Sequence, residues 1–147
     1  MTTPLTAALE LRNEPILGSS IGVRFSVRND ADDEIVLTNP DVGLPPPGLG
    51  WKASNEAYQI GVLISFGLLE VKLKDDRAET VKSKGLMPWV TPILSKRVLS
   101  TNDQLIINFD INELFLIEAA GKYNLAVKFA DQSAIAQAAL SFELRSA

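Results

Sequence analysis

The segment from Ala120 to Phe129 has the most regular alternation of apolar and polar residues in the chain. Its apolar positions run from Tyr123 through every second residue to Phe129, with lysine, asparagine or alanine between them. A period of two places one row of side chains in a core and the other row in water. The segment therefore predicts a central β-strand.

The same period of two predicts strands along most of the chain. These strands cover residues 5–12, 21–28, 34–38, 93–99, 105–109 and 138–144. An apolar run from Tyr58 to Leu73 predicts two further strands that meet near Gly67, or one long strand with a bulge there. We expect the last strand to pair with the segment 120–129 across a turn at residues 131–133.

Two segments interrupt this pattern. Asp110 precedes Glu113 by three residues, a variant of the capping box that predicts one or two helical turns through Leu116. Residues 39–50 contain four prolines and three glycines, which disfavour both a helix and a strand ladder and predict a long loop. This loop lies between strands that would be unstable alone, so we expect residues 1–147 to form one domain.

Composition restricts the chemistry more than any motif does. The 147 residues include no cysteine and no histidine, which excludes disulfides, thiolate metal sites, histidine-dependent triads and the His-Glu-x-x-His zinc motif. A net charge of -4 opposes general binding to nucleic acid or to an anionic membrane. The start of the chain lacks the basic region of a signal peptide, and the longest apolar run, residues 60–69, is about half the roughly 20 residues of a membrane-spanning helix. We therefore expect a soluble cytoplasmic protein with no cofactor.

The start of the central strand resembles the tyrosine corner of immunoglobulin-like sandwiches, where a tyrosine opens strand F. Gly121 and Tyr123 carry the resemblance, and Leu125 takes the position that antibody domains fill with cysteine. Residues 21–28 then correspond to strand B and residues 34–38 to strand C. The resemblance implies an all-β, immunoglobulin-like Greek-key sandwich of about seven to nine strands, with a long Pro-rich loop and one short helix.

The order of these strands, with the Asn29 turn and the Asp110-Ile111-x-x-Leu114 segment, resembles two groups of proteins. One is the bacterial intracellular proteinase inhibitors of the subtilisin-inhibiting type, and the other is the N-terminal domain of deuterolysin-type proteases. Both imply a role in contacting or restraining another protein. The missing zinc motif means that the chain is not the protease itself, and no inhibitory loop residue can be carried over.

The Pro-rich loop and its surroundings are the main candidates for binding a partner protein. An exposed polyproline turn loses little entropy on docking, and a tryptophan beside leucines can form a binding hot spot. The candidate residues are Leu44, Pro45, Pro46, Pro47, Leu49, Trp51 and Trp89. The alternative is structural: Trp51 and the leucines fold back over the core while the prolines stiffen a long connection.

Two other functions compete with protein binding. Acidic turn residues offer oxygen ligands for calcium, and Trp51 and Trp89 offer stacking platforms, as in a carbohydrate- or calcium-binding accessory domain. The acidic set is Asp30, Asp32, Asp33, Glu34, Asp103 and Asp131. Residues 58–73 instead suggest an edge strand for β-augmentation or a homodimer, as in a self-assembling subunit. The sequence favours a non-enzymatic protein-binding module, with an inhibitor or immunity-type protein as its most concrete form.

Overall fold

The computed structural model describes residues 5–48, 50–85, 94–132 and 134–147. In chain order they form β1 (Leu5–Leu11), β2 (Gly22–Asn29), β3 (Ile35–Thr38), α1 (Asn55–Ser65), β4 (Leu69–Asp75), β5 (Lys96–Leu99), β6 (Gln104–Asp110), α2 (Ile111–Leu114), β7 (Gly121–Asp131) and β8 (Ala134–Leu144). The predicted all-β sandwich is confirmed. Neither helix in this part of the chain is long and apolar enough to cross a membrane.

Two three-stranded antiparallel sheets make up the sandwich. Their strand orders are β1-β2-β6 and β4-β7-β8, which is the A-B-E and C-F-G arrangement of an immunoglobulin-like sandwich. The prediction that β7 is central and pairs with β8 is confirmed. The prediction that residues 34–38 form strand C is wrong, because β4 is the strand that pairs with β7, while β3 forms a separate two-stranded sheet with β5.

The core lies between the inward faces of these sheets. Alternate residues of the strands are buried there, as their period of two requires; they include Val23, Phe25, Val27, Leu105, Ile107, Phe109, Leu125, Val127 and Phe129. The Tyr123 hydroxyl donates a 2.6 Å hydrogen bond to the Ala119 carbonyl, which is the tyrosine-corner contact. Burial of the ring, with the Asp75 and Asp76 carboxylates nearby, raises the pKa of Tyr123.

The strand predicted over residues 58–66 is instead helical. The hydroxyl of Ser54 accepts a hydrogen bond from the Ala57 amide and caps the start of α1. At the other end Gly67, with φ of +73°, closes a Schellman motif in which its own amide and that of Leu68 donate to the carbonyls of Ile64 and Leu63. The described residues therefore form two helices where the sequence predicted one.

The buried residues of α1 explain why its sequence pattern predicted a strand. Tyr58, Ile60 and Val62 alternate like a strand, but Gly61, which lies between two of them, and Leu63, which follows them, are buried as well. A short run that is apolar at almost every position does not distinguish a buried helix from a buried strand. The helix packs against β4 and β6, the outer strands of the two sheets, and so covers one open side of the sandwich. On the other side β1 lies next to β8.

Candidate functional site

The Pro-rich loop leaves β3 through a series of fixed contacts. The Thr38 amide donates to the Asp131 carboxylate at 2.6 Å, and the Asn39 amide donates to the Ser95 carbonyl at 2.9 Å. The following turn is held by the Asn39 side-chain oxygen, which accepts from the Asp41 amide. Pro40 is buried and Val42 packs against the core. The first four residues of the loop are therefore part of the scaffold.

The other end of the loop is fixed by Trp51. Its indole Nε1 donates to the Ser54 carbonyl at 3.0 Å, and its ring meets the Tyr58 ring edge-to-face with the centroids 5.7 Å apart. Such a pair is more stabilising than its buried area alone. Trp51 is half-buried and matches the structural role that the sequence left open.

A carboxylate from α2 holds this end of the loop against the sandwich. One oxygen of Glu113 accepts from the Ser54 amide at 2.9 Å, and the other accepts from the Ser54 hydroxyl at 2.5 Å. Hydrogen bonds to a charged acceptor are stronger than neutral ones. Glu113, the glutamate of the capping box that predicted α2, therefore also joins α2 to the start of α1.

Between these two ends the loop exposes a short apolar apex. Leu44 is 69% exposed, the most exposed large hydrophobic residue in the described part of the chain. Pro46 and Pro47 are exposed and Pro45 is half-buried. Gly43 and Gly48 bracket the apex with φ near +85° and +83°, a conformation that favours glycine. Of the other predicted site residues, Leu49 and Trp89 lie outside the described residues.

The acidic turn residues do not converge on a common point. Among the described residues no group of three or more histidine, cysteine, aspartate or glutamate side chains is placed to hold a metal ion. Asp131 is bonded to the Thr38 amide. The hydrogen bond from Thr6 to Asp30, with a further one from Arg28, lowers the pKa of the Asp30 carboxyl. These two carboxylates therefore hold strand ends together.

A second candidate surface lies beside β4, within the segment 58–73 for which the sequence suggested an edge strand. Between β4, residues 83–85 and α2 there is an apolar cavity of about 450 Å³. Its lining residues are Gly61, Ile64, Gly67, Leu69, Glu70, Val71, Ser83, Gly85, Leu114 and Phe115. We call this space the β4 wedge. Of the edge strand predicted over residues 58–73, residues 58–65 lie in α1, which packs against the core, and residues 69–73 lie in β4 beside the wedge.

Comparisons with known proteins assign no family. No protein-family model matches the chain, and a search of curated proteins finds no match. Among solved structures, the chain is similar to part of a β-glucosidase from Listeria innocua in complex with glucose, at 12% identity over 97% of this chain and a TM-score of 0.43. It is also similar to part of a GH3 β-glucosidase from Bifidobacterium adolescentis, at 16% identity over 95% of this chain and a TM-score of 0.38.

These enzymes are much longer than this chain, which spans 16% and 17% of their lengths. A third similar structure is AggA, the major subunit of aggregative adherence fimbriae type I from Escherichia coli. It matches at 14% identity over 100% of this chain and 98% of its own, with a TM-score of 0.31. Likenesses at these values support no statement about activity, ligand or assembly.

Proposed function

We propose that this domain is a non-catalytic module that binds another protein through the apex of the Pro-rich loop. The observation that carries the proposal is the exposure of Leu44 on a loop whose two ends are both fixed. The Leu44 side chain is 69% exposed, so a partner that covers it removes apolar surface from water, which favours binding. The resemblance to inhibitor domains makes an inhibitor or immunity-type role its most concrete form.

Preorganisation supports binding at this loop more than at other exposed apolar residues. Pro45, Pro46 and Pro47 restrict the backbone before any partner arrives, and the contacts of Thr38 and Trp51 fix both ends. Ordering a flexible loop would subtract from the affinity, whereas a loop already close to its bound form loses little. Burying Leu44 in a partner pocket is worth about 1.5 to 3 kcal/mol.

The absence of enzymatic activity is part of the same proposal. The sequence has no histidine or cysteine for acid–base or nucleophilic chemistry. Of the carboxylates at the loop, Glu113 is bonded to Ser54 through both of its oxygens, and Asp41 accepts a hydrogen bond from the Gly43 amide. We therefore expect no turnover from the loop itself.

The proposal is tested by replacing only exposed residues of the apex. The variant is Leu44→Asp with Pro46→Ser and Pro47→Ser, leaving Trp51 intact so that the fold is retained. The matched control is Ile135→Asp, because Ile135 is also exposed, at 45%, but lies on β8. Proteins retained from the source cell's lysate are identified, purified and titrated against all three forms.

We expect a one-to-one complex that the apex variant weakens at least tenfold and the Ile135 variant leaves unchanged. Tenfold corresponds to about 1.4 kcal/mol, less than the burial of one leucine. Equal affinity for the apex variant and the intact protein would show that the partner binds elsewhere. If no protein binds the intact form, the binding function itself is wrong.

A further inference from the structure

The backbone amide and carbonyl groups of β4 indicate a second site, separate from the Pro-rich loop. In an antiparallel pair, successive residues of a strand direct their amide and carbonyl groups alternately towards and away from the partner strand. The Ala130 amide donates to the Leu68 carbonyl, so the even-numbered residues of β4 face β7. The backbone groups of Leu69, Val71 and Leu73 therefore point to the opposite, outer edge of β4.

Among the described residues, only the far end of that outer edge has backbone partners. The Val81 amide donates to the Leu73 carbonyl at 2.8 Å, and the Asp75 amide donates to the Glu79 carbonyl at 3.0 Å. Beyond this point the two segments separate, and the chain from Lys82 to Lys84 pairs with α2 and the residues after it. The bonds run from the Lys84 amide to the Leu114 carbonyl and from the Leu116 amide to the Lys82 carbonyl.

Because of this second pairing, the backbone groups of Ser83, like those of Val71, are directed away from the strand with which their own segment pairs. Ser83 is opposite Phe115 in a pair whose hydrogen bonds are made by the neighbouring residues, so its own amide and carbonyl point away from Phe115, towards β4. Neither these groups nor those of Val71 have a backbone partner across the gap within the described residues. As far as the described residues extend, the β4 wedge is therefore bordered by two strand edges that face each other without pairing.

We propose that the β4 wedge binds an extended end segment of a partner protein, which adds as a short strand between β4 and residues 82–84. Each such strand edge supplies donors and acceptors at strand spacing, as in other complexes formed by β-augmentation. The wedge is closed where Leu73 meets Val81 and open towards Gly67. An end of a chain fits this shape better than a segment that continues in both directions.

The side chains around the wedge define the partner's chemistry. The residue opposite Val71 points inward, as Val71 does, towards Ile64, Leu114 and Phe115, and so must be apolar. Its two neighbours point outward beside Glu70 and Lys72, which are exposed and form an ion pair with each other at 3.1 Å that each could exchange for a partner's charge. Opposite charges across strands are favourable and like charges are not. The fitting segment therefore carries a basic residue opposite Glu70 and an acidic residue opposite Lys72.

Two blocked pentapeptides of reversed sequence test this site in either strand direction. Acetyl-Glu-Leu-Lys-Val-Thr-amide fits antiparallel to β4, and acetyl-Thr-Val-Lys-Leu-Glu-amide fits parallel to it. In both, leucine lies opposite Val71, and its amide hydrogen is directed at either Val71 or Ser83. The matched control is the same peptide methylated on the leucine nitrogen, which removes that donor and keeps every side chain.

We expect one of the two pentapeptides to bind the full chain and to slow amide hydrogen exchange at Val71 or Ser83. Methylation of the leucine nitrogen should weaken binding about tenfold, because a lost hydrogen bond is joined by a steric clash. The variant Val71→Pro, which removes the strand's own donor at an edge position where proline is tolerated, should lose binding, while Val71→Ala should retain it. The double variant Glu70→Lys with Lys72→Glu should prefer a pentapeptide in which the lysine and the glutamate have been exchanged.

Several results would overturn the proposal. These are no binding by either peptide at millimolar concentration, equal binding of the methylated peptide, or Val71 and Ser83 amides that are already protected in the protein alone. The last result would mean that the wedge is filled from within the chain. The site is independent of the proposed loop function, since the Leu44, Pro46 and Pro47 variant should bind the pentapeptide normally.

Discussion

The loop apex and the β4 wedge are both exposed, but they offer a partner opposite kinds of surface. The apex is convex and presents side chains, with Leu44 at its most exposed point. The wedge is concave and presents the backbone groups of Val71 and Ser83. Recognition at the apex therefore depends on which residues occupy it, whereas recognition in the wedge depends on where two strand edges separate.

The difference extends to how each surface is held. Contacts from outside the loop fix its two ends, so its apex can change without loss of packing. The wedge is shaped by the core itself, because Leu69, Leu114 and Phe115 line it and are buried. Substitutions should accordingly affect binding alone at the apex and binding together with stability at the wedge.

The largest expected effect separates the two parts of the predicted loop site. Trp51→Ser removes the Tyr58 contact and the bond to the Ser54 carbonyl, so unfolding free energy should fall by about 2 kcal/mol, less than for a fully buried aromatic. Leu44→Ser should change it by less than about 0.5 kcal/mol, as for most exposed positions. Urea unfolding at equilibrium measures both. Similar losses for the two variants would show that the apex packs against the domain.

A smaller effect tests the attachment of the loop to α2. Ser54→Ala removes the cap of α1 and one bond to Glu113, and should cost about 1 kcal/mol. Glu113→Ala should cost a similar amount because the Ser54 amide loses its acceptor. The double variant should cost less than the sum, by about 0.5 kcal/mol or more, since the residues share a bond. Additive losses in urea unfolding would argue against a direct contact.

Glycine substitutions distinguish the loop apex from the mouth of the wedge. Gly48 and Gly67 have φ of +83° and +73°, and a Cβ at either would meet nothing within 4 Å. Alanine should therefore cost about 1 kcal/mol at each from backbone strain alone. Only Gly67→Ala, at the wedge, should also reduce pentapeptide affinity. A calorimetric titration of both variants with the pentapeptide checks this. An equal loss of affinity in Gly48→Ala would show that the loop apex and the wedge are coupled.

The smallest effect concerns the acidic turn, which serves as a reference away from both surfaces. Thr6→Val removes the main cause of the lowered pKa of Asp30, so that pKa should rise towards its ordinary value. A lowered folded-state pKa stabilises the fold above the unfolded pKa, and this contribution disappears as pH falls through the folded pKa. The substitution should therefore reduce the acid sensitivity of stability without altering either binding surface. Carboxyl titration by nuclear magnetic resonance measures the shift.

The strands were predictable wherever one face is apolar and the other polar. β2 and β7 follow this rule along most of their length, so both strands and the tyrosine corner were visible in the sequence, although β2 runs from Gly22 to Asn29 and β7 continues to Asp131. α1 was not, because its burial leaves few polar positions to reveal a period of 3.6. The available signals were Ser54 as a cap and Gly67 as a terminator, which are local and easily mistaken for a turn.

Pairing was less predictable than the strands themselves. β3 and β4 both carry suitable patterns, and nothing within either segment states which one borders β7. The site shows the same limit: the exposure of Leu44 followed from prolines and glycines near it, but the role of Trp51 depends on Tyr58 and Ser54 across a helix start. The wedge depends on a ladder that opens between Val81 and Ser83, which no residue pattern records.

The contacts that fix the Pro-rich loop have a practical consequence. The groups that receive its two ends belong to Asp131, Ser95 and Tyr58, and none of them lies within residues 43–48. The apex is therefore an exchangeable insert on a rigid frame. Grafting other short sequences between Val42 and Trp51 would turn the same sandwich into a display scaffold that, lacking cysteine, needs no oxidising environment to fold.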